Sequence, residues 1–248
     1  MVIPTSDVGV WLFRHLSSLV LGEEAEGYLY GRGATEELIA SLEVREWSPS
    51  LEASPSAAFR QRYGPRGEKL TGMLVFPILS PTGMLIGMEA RTPSRDPSEK
   101  RISEFRLPEA SWNPFLVNTP QAVARMWDGG SIWVCEGVYD LFALARVIPS
   151  KDALVATLKA GLAKNHIQFF SRFCRGQVYM VYDNDETGRR ATHGFYDPEM
   201  QKYRPGAMGL LTKAGLTAVD FRYRGKDPGE VWSKGGASLL QSTFQIYG

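Results

Sequence analysis

Cysteine is scarce in this sequence, in which Cys135 and Cys174 are the only two among 248 residues. One lies in an apolar, strand-like run and the other in a helical pattern, so their spacing indicates neither a disulfide framework nor a zinc site. The scarcity therefore predicts no structural zinc, and it fits a reducing compartment such as the cytoplasm.

Long apolar runs and an excess of charge are missing as well. No stretch approaches the roughly 20 apolar residues of a membrane-spanning helix, and no basic segment precedes an apolar run at the N-terminus. The 28 Lys and Arg residues balance 27 Asp and Glu residues. We therefore expect no membrane contact, and any contact with nucleic acid must come from local clusters of basic side chains.

The first half of the chain predicts helices and a hairpin. Apolar residues recur at helical spacing over 8–21 and 23–30, and Thr35 stands where it would cap a third helix. Two apolar runs flank the turn signal at residues 80–83, which predicts a β-hairpin. Residues 92–118 are charged and contain proline, so we expect a connection that crosses the surface.

Strands alternate with helices in the second half. The runs "SIWVCEG", "ALVAT", "QVYMVYD" and "GLTAVDFRY" predict strands, and a long helix is expected from Glu186 to Ala214 with a break near Pro205. This alternation predicts a mainly parallel sheet with helices on both faces, because parallel neighbours need crossovers. The predicted fold class is α/β, with an α+β subdomain of basic surface over residues 1–125 and a Rossmann-like domain over residues 126–248.

Carboxylates follow two of the predicted strands at the point where each ends. Glu136 comes directly after one strand, and Asp183 and Asp185 follow another, while Asp140 lies one turn into the helix after Glu136. The carboxyl ends of parallel strands meet at one edge of a sheet. Negative charges gathered there repel one another and raise their pKa values unless a divalent cation such as Mg²⁺ binds between them. The pattern therefore predicts a metal site, although an isolated Asp-x-Asp is more often a turn or a helix N-cap than a metal site.

The motifs resemble those of a known family. "WVCEGVYDLFAL" and "VYDNDETGRRA" are similar to the two motifs of the Toprim fold, and "GKDPGEVW" is similar to the segment that closes the sheet in its primase versions. "EAEGYLYGRGATEELIASLEV" and "MLVFPILSPTGMLIGMEAR" resemble segments of DnaG-type bacterial and phage primases. The resemblance covers most of residues 24–233, although the usual Lys-Tyr-x-Asn signature before the Toprim domain is missing.

The resemblance implies a DNA primase catalytic core, which is a nucleotidyltransferase. Such an enzyme makes short RNA primers on single-stranded DNA, with Mg²⁺ or Mn²⁺ in a two-metal site. It implies Glu136, Asp183 and Asp185 as catalytic residues, and the same three with Asp140 as metal ligands. Asp227 is a further candidate ligand, but it is equally well placed to cap the last helix ahead of Pro228.

Basic residues are the candidates for contact with nucleoside triphosphates (NTPs) and the template. Some match basic positions of primases and others follow strands of the predicted sheet, whereas a charge run is also typical of a solvated face. The candidates are Arg32, Arg91, Lys100, Arg101, Arg106, Lys159, Arg189 and Lys226.

The expected partners are single-stranded DNA and NTPs. Because the chain carries no Cys/His zinc module, a replicative helicase or a separate template-recognition module is expected to act with it. The setting implied is phage or mobile-element replication, in the cytoplasm of a bacterial cell or a phage-infected host. Two alternatives stay open: a Toprim metal-dependent nuclease that uses the same acids, and a non-catalytic nucleic-acid-binding factor of replication or repair.

Overall fold

A computed structural model describes residues 1, 3–48, 57–64, 69–80, 83–96, 98–108, 110, 115–117 and 122–245. The chain forms two compact units, one of Met1–Leu29 with Ile39–Pro114 and the other of Tyr30–Leu38 with Phe115–Gly248. The second unit thus takes in residues 30–38 and 115–125 in addition to the segment 126–248. The assignment of a basic subdomain and a catalytic domain to the two halves stays a prediction.

The first unit is built on an antiparallel sheet. Its strands are β1 (Arg45–Glu46), β2 (Leu74–Leu79), β3 (Leu85–Arg91) and β4 (Ile102–Arg106), in the spatial order β1-β2-β3-β4. The β2–β3 hairpin stands where the sequence predicts it, and Gly83 takes the positive φ of 79° that its turn requires. Residues 81 and 82 of that turn lie outside the described residues.

Strand β4 lies within residues 92–118, where the sequence predicted only a connection, and that prediction is wrong. Phe105 is fully buried and stacks on Phe59 with ring centroids 5.8 Å apart. The adjacent residues Glu104 and Arg106 carry charge, Ile102 is exposed, and Phe105 is the one buried side chain of the strand. A single apolar residue on one face is too weak a period-2 signal to identify a strand from sequence.

The described residues of the first half of the chain form four helices. In the first, Ser6 caps the amino end through Oγ, which accepts a hydrogen bond from the Gly9 amide, and the helix buries Val8, Leu12 and Leu16 along one face. Thr35 accepts from the Leu38 amide at 3.2 Å, as a cap of the third helix does. The helices are α1 (Asp7–Ser18), α2 (Glu23–Gly31), α3 (Glu36–Ser41) and α4 (Ala57–Tyr63).

His15 gives the first unit a predicted pH dependence. It is buried, with its ring stacked on Trp11 at 5.1 Å and edge-on to Trp47 at 4.4 Å, and burial lowers its pKa from 6.5. Below pH 6.5 the unfolded chain therefore binds a proton that the folded chain refuses, so stability falls as the pH falls. Urea unfolding at pH 7 and pH 5 should show a smaller loss in His15→Phe than in the parent, whereas equal losses would contradict this role.

The second unit is built on a five-stranded sheet of order β11-β8-β6-β7-β5. All of its neighbours are parallel except β5, which pairs antiparallel with β7. Its elements are β5 (Leu116–Val117), α5 (Ala122–Trp127), β6 (Ile132–Cys135), α6 (Val138–Leu144), β7 (Ala153–Ala156), α7 (Lys164–Phe173), β8 (Val178–Val181), α8 (Glu186–His193), β9 (Gly194–Asp197), β10 (Lys202–Pro205), α9 (Ala207–Lys213), β11 (Ala218–Asp220) and α10 (Pro228–Gln245).

The order of the strands explains where the helices lie. The chain moves in one direction from β6 to β7 and in the opposite direction from β7 to β8 and from β8 to β11. Right-handed crossovers then place α6 on one face of the sheet and α7 and α9 on the other. The mixed α/β class and the largely parallel sheet predicted from the sequence are confirmed.

The predicted long helix over 186–214 is wrong in its middle. Helix α8 stops at His193, and an antiparallel ribbon of β9 and β10 follows before α9 begins. Gly194 ends α8 with a φ of 86°, and the backbone of Gly206 passes so close that a Cβ on Gly194 would meet its amide at 2.6 Å. The turn therefore depends on glycine, which the helical periodicity on either side conceals.

Candidate active site

Glu136 and Asp183 leave neighbouring strands at the same edge of the sheet. Strands β6 and β8 pair in parallel, with Cys135 opposite Val181 at their last register position. Both strands are apolar and almost entirely buried, as expected of inner strands in a parallel sheet covered on both faces. The first polar residues after each strand therefore emerge together at its carboxyl end.

Asp183 is the centre of a group of interacting charges. Burial raises its pKa to about 7, with further increases from Glu136, Asp227 and Asp185 in that order, while Lys226 acts in the opposite direction. When three acidic neighbours raise the pKa of a carboxyl group, a bound cation would stabilise its charged form. These five side chains therefore share one electrostatic environment.

Asp185 fixes the start of the helix that follows. It is the N-cap of α8, and its Oδ1 accepts a hydrogen bond from the Gly188 amide at 2.9 Å. Gly188 allows this tight approach, since a Cβ at that position would lie only 2.0 Å from the carbonyl oxygen of Asp183. The Asp-x-Asp tip and its glycine are thus one tightly packed turn.

Asp140 joins two helix starts. Its Oδ2 accepts from the Gly137 amide at 3.1 Å and its Oδ1 accepts from the Gly229 amide at 3.0 Å, which ties α6 to the first turn of α10. Burial raises its pKa to about 8, and the charges of Asp227 and Asp183 add to the effect. Because both oxygens of this buried carboxyl already bind amides, the contacts favour a positioning role over direct coordination of a metal.

Asp227 has the capping contact that the sequence left open. Its Oδ1 accepts from the Glu230 amide at 2.6 Å, and Pro228 is the first residue of α10. It also raises the pKa values of Asp140 and Asp183, so it belongs to the same charged group. Lys226 beside it is exposed.

Asn184 is a residue that sequence reasoning missed. Its side-chain amide donates to the carbonyls of Tyr223 at 2.7 Å and Gly225 at 2.8 Å, and its oxygen accepts from Arg222 at 3.1 Å. Its backbone amide donates to the carbonyl of Lys226 at 2.7 Å. Asn184 therefore holds the loop over 223–226 against the tip that carries the two aspartates. The one signal in the sequence is an amide side chain between two acids, and the Asp-x-Asp pattern assigns no role to that middle position.

Asn184→Ala is expected to lower the free energy of unfolding by about 1–3 kcal/mol, because two carbonyls lose their donors. Asn184→Asp keeps the oxygen that accepts from Arg222 and loses both donors. If the donors carry the effect, both variants lose stability to a similar degree in urea unfolding. Parent-like stability of Asn184→Asp would contradict the role assigned to the amide donors.

Three basic candidates of the second unit differ in their contacts. Arg32 is buried, with its guanidinium 4.8 Å from the centroid of the Tyr139 ring and its Nη1 donating to Ser233 at 3.4 Å, which favours a packing role. Arg189 is exposed and pairs with Glu186 at 2.6 Å. Lys159 is exposed in the loop after β7.

Besides Lys226, described above with Asp227, four basic candidates remain, and they belong to the first unit. Arg91 ends β3 and pairs with Glu89 at 2.5 Å, with little of its side chain exposed. Arg106 ends β4, 3.8 Å from Glu104. Lys100 and Arg101 are exposed just before β4. Their roles toward NTPs and template stay predictions.

The acids suit a divalent cation because of their ligand atoms, although they do not form a complete set of ligands around one point. Within the described ranges, no three His, Cys, Asp or Glu side chains are arranged so that they would hold a metal ion. Carboxylate oxygens are nevertheless the donors that Mg²⁺ and Mn²⁺ prefer, and a few carboxylates with open positions for phosphate oxygens are typical of Mg²⁺ sites. Glu136, Asp183 and Asp185 are the candidates for such an open set.

Comparisons with known proteins find similarity over the segment that carries these acids. Residues 133–203, which run from β6 to β10, match the sequence model of the Toprim-like family. A DNA primase of Thermotoga maritima is 28% identical over 249 aligned residues, covering 94% of this chain and 41% of the relative. A DNA primase of Aquifex aeolicus is 28% identical over 178 residues, covering 71% of this chain and 32% of the relative. The chain thus spans less than half the length of these two relatives.

Solved structures share the fold. The zinc-binding and RNA polymerase domains of Aquifex aeolicus primase superpose with a TM-score of 0.66 at 22% identity, covering 97% of this chain and 61% of that one. A DnaG primase catalytic domain bound to single-stranded DNA superposes with a TM-score of 0.65 at 20% identity, covering 96% and 78%. Residues 133–203 are thus similar to the Toprim-like family, and the chain is similar in sequence to DNA primases and in fold to DnaG-type catalytic domains. Among the described helices, none is long and apolar enough to cross a membrane.

Proposed function

We propose that this chain is the catalytic core of a DNA primase. It makes short RNA primers on single-stranded DNA by transferring nucleotides from NTPs. The observation that carries the proposal is the group of Glu136, Asp183 and Asp185, which follow adjacent parallel strands, with Glu136 and Asp185 both raising the pKa of Asp183. The shared fold of primase catalytic cores supports it.

Glu136, Asp183 and Asp185 would hold Mg²⁺ or Mn²⁺, and the bound ions would supply positive charge for the α-phosphate and the leaving pyrophosphate. Asp140 keeps the starts of α6 and α10 together beneath these acids through its two amide contacts. Asp185 and Gly188 hold the turn between β8 and α8 in a fixed shape. The acids are thereby preorganised, which limits the cost of arranging them during reaction.

Lys226 is the basic residue with the clearest relation to the acids. It lowers the pKa of Asp183 and is exposed, so its ammonium is available to phosphate oxygens. Its carbonyl accepts from the Asn184 amide and from the Tyr223 hydroxyl, so the backbone below the ammonium is held in place. We assign Lys226 to the NTP phosphates, with Lys159 as a second exposed cation on the same edge of the sheet.

The partners follow from the same proposal. The substrates are NTPs, and the template is single-stranded DNA, with Arg91, Lys100, Arg101 and Arg106 of the first unit as candidate contacts. A helicase or a separate template-recognition module acts with the core in the cytoplasm of a bacterial cell or a phage-infected host.

The test is a primer-synthesis assay with single-stranded DNA, labelled NTPs and Mg²⁺ or Mn²⁺. Short RNA products that disappear with EDTA support the proposal. Cleavage of the template without RNA products would replace it by a nuclease that uses the same acids. A melting experiment reads the metal directly: Mg²⁺ is expected to raise the melting temperature of the parent, and an equal rise in a variant that lacks both Asp183 and Asp185 carboxylates would show that the ion binds elsewhere.

A further inference from the structure

The ribbon of β9 and β10 presents two different faces. Its register places Tyr203 opposite Tyr196 and Arg204 opposite Phe195. Since cross-strand partners share a face, Phe195 and Arg204 lie on the side opposite the two tyrosines. Asp197 lies on the same side as Arg204, with which it pairs at 2.7 Å. The arginine-bearing face is therefore held in a defined arrangement.

This face borders a cavity of about 350 Å³. The loop after β7, helix α8, the first turn of α9 and the ribbon form its walls, with Gly161, Leu162, Thr187, Phe195, Pro205 and Leu210 among the lining residues. Both charged residues in the lining are arginines, Arg190 and Arg204. The cavity lies within the roughly 300–1,000 Å³ typical of small-molecule pockets. Its walls suit a ligand that is partly flat and apolar and carries negative charge.

Arg190 is arranged to bind an anion. Its guanidinium lies 3.7 Å from the centroid of the Phe195 ring. A guanidinium this close to a ring face is attracted by the ring's π electrons, and its planar fork of N–H donors suits phosphate oxygens. Within the described part of the chain, no carboxylate forms an ion pair with Arg190, whereas Arg189 pairs with Glu186 and Arg204 with Asp197. Arg190 is thus the arginine of the cavity lining that has no carboxylate partner among the described residues.

We propose that this cavity binds a nucleotide, with phosphate oxygens on Arg190 and Arg204 and the base against the apolar wall. A nucleotide joins a flat ring to an anion, which are the two features that the lining complements. The source is a free nucleoside triphosphate or one unit of a single-stranded nucleic acid. The site goes beyond the proposed catalysis, since its contacts involve none of the acids that would hold metal.

The experiment measures binding without catalysis. The full chain is titrated with fluorescent ATP and, separately, with a fluorescent ten-residue oligo(dT), both in EDTA so that no divalent ion bridges ligand and acids. Arg190→Ala and Phe195→Ala are expected to weaken binding about tenfold or more, since a charge-assisted contact or its stacking support is lost. Arg190→Lys keeps the charge without the planar fork and is expected to bind with intermediate affinity.

Arg175→Ala is the matched control. Arg175 also stacks on a ring, 4.2 Å from the centroid of Trp127, but it precedes β8 at the amino end of the sheet and does not line the cavity. The Arg175→Ala variant should bind both probes as tightly as the parent does. If Arg190→Ala and Phe195→Ala weaken the binding of ATP, the site is assigned to free nucleotides. If they weaken the binding of oligo(dT) alone, the site is assigned to nucleic acid.

Three results would overturn the site. The first is a parent that binds neither probe in EDTA. The second is an Arg190→Ala variant that binds both probes as tightly as the parent, and the third is an Arg175→Ala variant that weakens binding as much as Arg190→Ala does. Circular dichroism establishes that each variant is folded, and Arg190→Lys serves in place of any alanine variant that is not. Failure of primer synthesis alone leaves this measurement intact, so the two proposals fail separately.

Discussion

Asp183→Asn is expected to reduce primer synthesis strongly while raising the stability of the folded chain. The substitution removes one of the charges that would hold the metal, so synthesis should fall by a factor on the order of 10² to 10³. The pKa of Asp183 is raised to about 7 by burial and by its acidic neighbours. An acid with a raised pKa reduces stability progressively as the pH rises from about 4 through 7, and the neutral amide does not.

The gain in unfolding free energy at pH 8 without divalent ions should be about 1–2 kcal/mol, because solvent screens part of the repulsion at this half-exposed carboxylate. Urea unfolding and the primer assay on the same preparation measure both quantities. Loss of activity together with loss of stability would indicate that Asp183 is structural rather than catalytic. At pH 4 the stability difference between the parent and the variant should nearly vanish.

Gly188→Ala is expected to lower the free energy of unfolding by about 2–4 kcal/mol and to remove activity. The added Cβ would lie 2.0 Å from the Asp183 carbonyl oxygen and 2.8 Å from its carbonyl carbon. These are backbone atoms at the end of a buried strand, so the turn must move as a whole. Because Asp183 and Asp185 flank this turn, both carboxylates move with it.

Gly209→Ala provides the control for that substitution. Gly209 is exposed in α9, and the nearest atom to its added Cβ is 3.9 Å away. Alanine favours a helix interior over glycine by about 0.5–1 kcal/mol, so this variant should be slightly more stable than the parent. Thermal and urea unfolding of both variants test the comparison, and equal behaviour of the two would contradict the steric argument at Gly188.

The alternation of strands and helices in the second unit was predictable because each inner strand is a short apolar run followed by a polar turn. The same rule located Glu136 and Asp183, since the first polar residues after adjacent parallel strands emerge together. The contacts of Asp140 and Asn184 were not predictable. Their partners, Gly229 for one and Tyr223 and Gly225 for the other, lie about 40 to 90 positions away in the chain.

Two elements escaped prediction for a different physical reason. Strand β4 buries one side chain, Phe105, so it lacks the alternation that identifies a half-buried strand. The ribbon of β9 and β10 is held by a glycine turn and by pairing along its own length, and its residues are largely exposed. Hydrophobic periodicity reveals which residues are buried. Both elements hydrogen-bond to neighbouring strands without burying every second side chain, so the periodicity does not identify them.

Residues 30–38 belong to the second unit although they precede most of the first one in the chain. Arg32 lies on the ring of Tyr139, and a Cβ on Gly33 would meet the ring of Trp232 at 3.0 Å. A fragment that starts at residue 115 would therefore lack residues 30–38, and the aromatic side chains of α6 and α10 that these residues cover would be exposed. Truncation from the amino end removes part of the second unit. To isolate this unit, residues 30–38 should be added as a separate peptide or fused to the fragment through a new linker.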